Sequence, residues 1–427
     1  MPEKPAYTGE HMSKFIINGG KELHGSVRIQ GAKNAVLPLF AASILTEDKI
    51  IIENVPNLID VHNMSQILMS LGVEVVRYSN YAEITAAKLK SHEIHNKLAK
   101  ELRSSIFLLG SILTRQQYAK VAYPGGCDIG LRPIDIHIKG LRELNVRIVE
   151  RAGYIYCDAT KITGADVNLD YPSVGATENV MLAAVKAKGV TNIRNAACEP
   201  EIVDLQNFLN TMGAKITGAG TSTIRVEGVE ELHGATYRAM PDRIVAGTFA
   251  IATAIAGGEV TLTGARAGDL NSLLSKLNKT SCHVGFKDDT ITIKAKETRL
   301  AVENIATQPY PGFPTDLQAP MMALQTVSDG ICILTENVFE NRFRHVNELK
   351  KMGADITING RTAVIKGVTQ LSGAEVDAQD LRGGAALVLA GLNAQGTTTI
   401  NDIFHIDRGY ENLEEHLRSL GADITRV

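Results

Sequence analysis

The sequence predicts an α/β chain of two similar bodies, each built from three copies of one unit. Three observations carry that expectation. A helix end, a glycine and a strand recur six times at intervals of about 70 residues, and an apolar helix rich in Ala and Gly precedes each recurrence. The 427 residues also exceed what one hydrophobic core usually organises.

The recurring junction reads LMSLGVEVV at Gly72, LRELNVRIV at Asn145, LNTMGAKIT at Gly213, a degenerate LNKTSCHVGF near Ser281, LKKMGADIT at Gly353 and LRSLGADIT at Gly421. Glycine or asparagine suits a residue that turns left-handed after a helix cap. Hairpins follow, most plainly in ADITINGRTAVIKG, where Asn359-Gly360 is the expected tight turn. Upstream of each junction lies a β-branched strand, such as KIIIEN at 49–54 or TTTIND at 397–402. Upstream of each strand lies a helix that is apolar nearly all round, such as RIVAGTFAIATAIAGG, and a helix of that kind is buried. Three copies to a body puts the seam near residues 228–242, and a cleft between the bodies is the expected ligand site.

Composition excludes several functions. Aromatic residues make up 5%, there is no Trp, and the net charge is -3, which argues against nucleic-acid binding. Residues 1–13 read as a polar, disordered tail rather than a signal peptide. The longest uncharged apolar stretch, 244–258, falls short of the roughly 20 residues of a membrane span, so a soluble protein with no membrane partner is expected. Five scattered cysteines without a C-x-x-C pair suggest neither a disulfide scaffold nor a metal site, and they fit a reducing cytoplasm. No phosphate-binding or dinucleotide motif is present, and no cofactor is expected.

The chemistry-bearing pattern is cationic. Lys33, Arg103, Arg243 and Arg382 each open a buried helix, although a helix start carries partial positive charge and disfavours them. Four in register point to a bound anion more than to misplaced boundaries. A second register, between the first strand of a repeat and its amphipathic helix, holds Cys127, Arg132, Arg342 and Arg408. Guanidinium forks suit carboxylate and phosphate oxygens, so small multiply charged acids are the implied substrates. Asp316 heads the fifth buried helix and reads equally as an N-cap or a catalytic carboxylate. Asp407 beside Arg408 reads as an ion pair, and Glu199 and Glu201 as helix-start charges.

Cys157, Cys198, Cys282 and Cys332 read as small core hydrophobes. Cys127 differs, because YPGGCDIGLRP sets it on a loop of glycines and prolines with Arg132 nearby. A reactive thiol is favoured over a structural one there, and the context leaves acid and nucleophile both open.

Several stretches together resemble the UDP-N-acetylglucosamine 1-carboxyvinyltransferases, a family of enolpyruvyl transferases. They are GAKNAVLP, LRSSIFLLG, YPGGCDIGLRPIDIH, SVGATEN, YPGFPTDLQAP, VFENRFRHV, DLRGGAALVLAGL and HIDRGYE, and the resemblance runs from about residue 14 to the C-terminus. It implies an inside-out α/β barrel fold, each domain made of three βαβαββ repeats, with residues 34–241 in one domain and 14–33 plus 242–427 in the other. It also implies transfer of the enolpyruvyl group of phosphoenolpyruvate to the 3-hydroxyl of UDP-N-acetylglucosamine, the first committed step of peptidoglycan precursor synthesis.

Residue by residue, the resemblance implies that Lys33 and Asn34 meet phosphoenolpyruvate, with Arg132 and Arg408 on its phosphate and Arg342 and Arg382 on its carboxylate. Arg103, the run Arg132, Pro133, Ile134, Asp135 and Ile136, the run Tyr171, Pro172, Ser173 and Val174, together with Asp316 and Val338, would line the nucleotide-sugar pocket, and Phe107 and Phe339 would wall it. The family often carries Lys where Tyr171 stands, which removes a charged contact to the diphosphate. Cys127 is implied as the acid that also forms a covalent adduct, and Asp316 as the base. The rival readings are a shikimate-pathway enolpyruvyl transferase and a non-catalytic UDP-sugar-binding paralogue.

Overall fold

The structure is a computed structural model that describes residues 13–123, 134–280, 282–295 and 303–427. Residues 1–12 of the expected tail, and the stretch with Cys127, Arg132 and Pro133, lie outside the described residues.

The helix-end signal does what its chemistry dictates. Gly72, Asn145, Gly213, Gly353 and Gly421 all carry positive φ, between 66° and 104°. The next residue then reaches back to the helix: the amides of Val73, Val146, Ala214, Ala354 and Ala422 donate to the carbonyls of Leu68, Leu141, Leu209, Leu349 and Leu417 at 3.0–3.3 Å. That six-to-one bond satisfies an orphan carbonyl and starts the following strand. The sixth junction, at Ser281, is outside the described residues. The hairpin at 359–362 departs from expectation. Asn359 pairs with Thr362, so Gly360 and Arg361 form the turn, and it is Gly360 that takes the positive φ of 57°. Asn359 is held in the ladder and cannot also be a central turn residue.

Six four-stranded sheets result, all on one plan. In the second repeat, Glu93–Ile94 runs parallel to Tyr118–Ala122, which pairs antiparallel with Tyr154–Asp158, which in turn carries Arg147–Arg151. A parallel pair needs a crossover, and the buried helix Leu108–Gln116 supplies it. In the sixth sheet the second hairpin strand is replaced: Phe15–Asn18 lies between Thr397–Asn401 and Asp423–Arg426. Leu23–Arg28 likewise pairs with Gly258–Thr263 of the fourth repeat.

The described residues form two compact units, 31–123 with 134–240, and 13–30 with those of 241–427. Each unit has three sheets and its own core. In the first, helices Lys33–Ala42, Leu108–Gln116 and Val174–Ala184 are buried on nearly every side. In the second, Arg243–Ala256, Gln318–Thr326 and Leu381–Asn393 play that part. Helices stand inside and sheets outside, the inside-out α/β arrangement. Small residues permit it: a Cβ on Gly110 would lie 2.4 Å from the Asn179 carbonyl oxygen of the neighbouring helix. Among the described residues no helix is long and apolar enough to cross a membrane.

Candidate active site

In the second unit the 3-10 turn Thr315–Leu317 delivers Asp316 just ahead of helix Gln318–Thr326. The side chain is not the N-cap of that helix, which is Leu317. Its two oxygens instead meet two guanidiniums, Oδ1 accepting from Arg342 at 2.7 Å and Oδ2 from Arg382 at 3.0 Å. Both arginine side chains are nearly sealed, 4% and 3% exposed, while Asp316 is 25% exposed. The reachable member of the cluster is therefore the acid.

Each arginine is locked by its surroundings. Arg342 donates to the Thr315 hydroxyl at 2.9 Å and lies 5.2 Å from the Phe339 ring centroid. Arg382 lies 5.3 Å from the Tyr410 ring, whose hydroxyl is 2.9 Å from that of Thr248. Burial pulls the Arg382 guanidinium toward losing its proton, but the charges of Asp316 and Asp242 and the Tyr410 hydroxyl outweigh it and drive its pKa up. His345 is buried close by, and burial, with a smaller contribution from Arg342, lowers it to about 4 against an opposing pull from Asp380. It is neutral at pH 7.

Glu336 organises the loop that carries Val338 and Phe339. One oxygen accepts from the Thr307 hydroxyl at 2.8 Å and from the Val338 and Phe339 amides at 2.8 and 3.0 Å, and the other accepts from Thr315 at 2.9 Å. Sequence reasoning missed this residue, yet a signal existed. Strand Ile331–Thr335 buries Cys332 and Leu334, and continuing the alternation puts Glu336 on the same inner side. Arg408 ends the 3-10 turn Ile403–Arg408 and is half-buried. Its neighbour Asp407 does not pair with it as expected: Asp407 takes two bonds from Arg426, at 2.7 and 2.9 Å, because the last strand presents that guanidinium to it.

In the first unit Lys33 opens helix Lys33–Ala42 and its ammonium lies 3.1 Å from Asp60, which is almost wholly buried. Asn34 beside it is half-buried. Arg103 opens the 3-10 turn Arg103–Phe107, and both ends of that turn are half-buried. Ser173 caps helix Val174–Ala184, its hydroxyl accepting from the Ala176 amide at 3.3 Å. Phe107 and His137 press so close to this helix start that a Cβ on Gly175 would lie within 3.0 Å of both. Ile134 is buried, Ile136, Pro172 and Val174 are half-buried, and Asp135 and Tyr171 are exposed.

Asn179, also missed, ties these pieces together. Its amide nitrogen bonds the Ile106 carbonyl at 2.9 Å and lies 3.1 Å from His137 Nδ1, and its oxygen accepts from the Gly110 amide at 2.7 Å. Its place in TEN, three polar residues inside the first turns of a helix that is otherwise apolar, was the available clue.

Lys33 and Arg243 stand at helix starts as expected and Arg382 one residue in, whereas Arg103 opens a 3-10 turn ahead of helix Leu108–Gln116. Asp242 caps the helix that Arg243 opens, and Asp380 caps the helix whose second residue is Arg382, each accepting two backbone amides at 2.9–3.0 Å. At these two ends a carboxylate of the protein offsets the dipole. Glu201 lies in the first turn of helix Pro200–Thr211, and Glu199 is its N-cap residue. Next to them Glu178 is fully buried and neither of its oxygens has a hydrogen bond among the described residues. Burial, reinforced by Glu201 and Glu199, pushes its pKa well up and so favours its neutral form.

Of the thiols, Cys157, Cys282 and Cys332 are buried and Cys198 is half-buried. Burial raises all four, Cys157 to about 12, so none is poised as a thiolate.

The family profile of EPSP synthase (3-phosphoshikimate 1-carboxyvinyltransferase) matches residues 17–417. The chain is 52% identical over 416 residues to UDP-N-acetylglucosamine 1-carboxyvinyltransferase 2 of Caldanaerobacter subterraneus subsp. tengcongensis, covering 97% of this chain and 100% of the relative. It is 48% identical to UDP-N-acetylglucosamine 1-carboxyvinyltransferase of Trichlorobacter lovleyi, covering 97% and 99%. The fold matches the crystal structure of the enolpyruvyl transferase NikO from Streptomyces tendae with a TM-score of 0.88 at 23% identity, over 97% of this chain and 99% of that one. It also matches EPSP synthase from Acinetobacter baumannii with a TM-score of 0.73 at 18% identity, over 97% and 100%.

Proposed function

The chain belongs to the UDP-N-acetylglucosamine 1-carboxyvinyltransferases within the EPSP synthase family, and from that membership we infer that it transfers the enolpyruvyl group of phosphoenolpyruvate to the 3-hydroxyl of UDP-N-acetylglucosamine and releases phosphate. This is the committing step of peptidoglycan precursor synthesis, carried out in the cytoplasm. The observation that carries the reading is the pair of buried guanidiniums, Arg342 and Arg382, bridged by the one carboxylate of Asp316.

The chemistry runs as addition and elimination. A proton goes to the methylene carbon, the neighbouring carbon becomes oxocarbenium-like, and the sugar oxygen bonds to it while losing its own proton. The tetrahedral ketal then loses phosphate as a methyl proton leaves, restoring the double bond. Such a path needs an acid at the methylene, a base at the hydroxyl and cations over both anionic ends.

Arg342 and Arg382 bind the substrate carboxylate, and Asp316 occupies those guanidiniums until it arrives. When the substrate carboxylate takes them over, Asp316 has fewer cations at its oxygens. Its affinity for a proton then rises as the sugar hydroxyl needs an acceptor. Lys33, held by Asp60, and Asn34 meet phosphoenolpyruvate, with Arg132 and Arg408 on the phosphate. Arg103, residues 133–136, residues 171–174 and Val338 receive the nucleotide sugar. Cys127 is the acid, and its thiol forms the adduct by adding to the carbon that bears the phosphate.

The test is phosphate release by the purified protein with both substrates, with either alone, and with shikimate 3-phosphate in place of the nucleotide sugar. Release that requires UDP-N-acetylglucosamine and phosphoenolpyruvate together is expected. Release with shikimate 3-phosphate instead, or none with any pair, overturns the reading.

A further inference from the structure

A concave cavity of about 380 Å³ lies in the first unit, at the C-terminal ends of helices Leu108–Gln116 and Val174–Ala184 and against residues 159–163. These are the ends opposite Arg103 and Ser173. Val174 and Ala184 are ten residues apart, so at 1.5 Å per residue the cavity lies on the order of 15 Å from the helix start that Ser173 caps. Its volume falls within the range of about 300–1,000 Å³ typical of small-molecule sites.

The lining contains three lysines, Lys161, Lys186 and Lys188, and no Asp or Glu. Elsewhere in this unit Lys49, Lys120, Lys139 and Lys215 each hold a carboxylate. Lys161, Lys186 and Lys188 make no ion pair among the described residues.

Lysines at helix C-termini often serve the last carbonyls, which carry partial negative charge. Here four carbonyls at these ends already have donors. Leu113 accepts from the Gln117 amide at 2.9 Å, Leu182 from the Thr114 hydroxyl at 3.1 Å, Ala184 from the Ala187 amide at 3.0 Å and Val185 from the Val229 amide at 2.9 Å. The walls are also fixed: the Ala159 amide donates to Gln117 at 2.7 Å and the Lys188 amide to Ile162 at 3.3 Å. Three exposed lysines, and no acidic residue, around one hollow in a chain of net charge -3 favour an anion with a small carbon body.

We propose that this cavity is an accessory binding site for a small phosphorylated metabolite, separate from the residues assigned to the reaction. The lysines hold the phosphate as point charges, Thr160 and Thr163 belong to the same lining, and half-buried Ile162 is the apolar residue the carbon body reaches.

Lysine acylation of the full chain, read peptide by peptide by mass spectrometry, tests it with glucose 1-phosphate, inorganic pyrophosphate and neutral glucose as probes. Both phosphates are expected to protect Lys161, Lys186 and Lys188 while leaving Lys88 and Lys90 fully reactive, and glucose to protect none. In calorimetry the variant Lys161→Gln/Lys186→Gln/Lys188→Gln binds glucose 1-phosphate about tenfold more weakly at the competed site, the sum of three modest surface charge contacts. That variant keeps its unfolding temperature and its phosphate release, which separates this result from the assay of the reaction. Absent protection, or equal protection of Lys88 and Lys90, overturns the proposal. So does a triple variant that binds as tightly as the parent.

Discussion

In the first unit one ammonium, Lys33, meets one buried carboxylate, Asp60; in the second, two guanidiniums close on one carboxylate, Asp316, that stays a quarter exposed. The first arrangement balances its charge internally. The second divides one partly exposed carboxylate between two buried guanidiniums, so an arriving substrate carboxylate can take its place. Fixing a cation in place and keeping it ready for a second anion are therefore different tasks, divided here between two parts of one fold. Glu178 is the third case, a buried acid whose neutral form burial favours.

The largest effect expected from breaking this contrast is at Arg382. Arg382→Ala should lower kcat/KM for phosphoenolpyruvate about a hundredfold or more while changing the KM for the nucleotide sugar little. Arg382→Lys should restore little, because an ammonium lacks the planar fork. Steady-state kinetics with each substrate varied in turn decides it, and equal losses for both would falsify the division of labour.

A smaller effect, on stability, is expected at the balanced pair. Lys33→Ala removes a cation from the nearly buried Asp60 and should cost about 2 kcal/mol in urea unfolding. The double variant Lys33→Met/Asp60→Asn should recover much of that stability without recovering activity. If the double variant is no more stable than the single one, the pair is not what Asp60 depends on.

The smallest effect sharpens the third case. The folded protein holds Glu178 with a raised pKa, so its contribution is full below the ordinary carboxylate value of 4.5 and is lost as pH rises toward the folded one. Glu178→Gln keeps the shape and abolishes the titration. Its melting temperature should match the parent near pH 4 and exceed it by a few degrees at pH 8. Parallel curves across that range would show that Glu178 does not titrate differently on folding.

Much of this architecture is legible in the sequence because it rests on local chemistry. A glycine or asparagine that must turn left-handed marks the same place in five described repeats, and helices apolar on every side announce their burial. The cationic register was readable for the same reason, since helix starts are local features. Partners were less so. That Asp407 belongs to Arg426, that Asp316 spans Arg342 and Arg382, and that Asn179 joins three segments depends on approaches between stretches 19 to 73 residues apart. Glu336 stands at an inward position of an otherwise apolar alternation, and a polar residue there is the clue that a single chain offers to a positioning residue.

The sixth sheet has a consequence for how the molecule is made. Its strand Phe15–Asn18 lies between Thr397–Asn401 and Asp423–Arg426, and Lys14 and Val427 exchange backbone bonds at 2.8 and 3.0 Å. On the ribosome this strand leaves the exit tunnel long before its partners, since Thr397 lies 379 residues beyond Asn18. The first unit closes its three sheets within residues 49–238, so it can fold while the rest is being translated. The second must carry an unpaired, β-branched edge throughout elongation, the interval in which nascent chains are most exposed to aggregation.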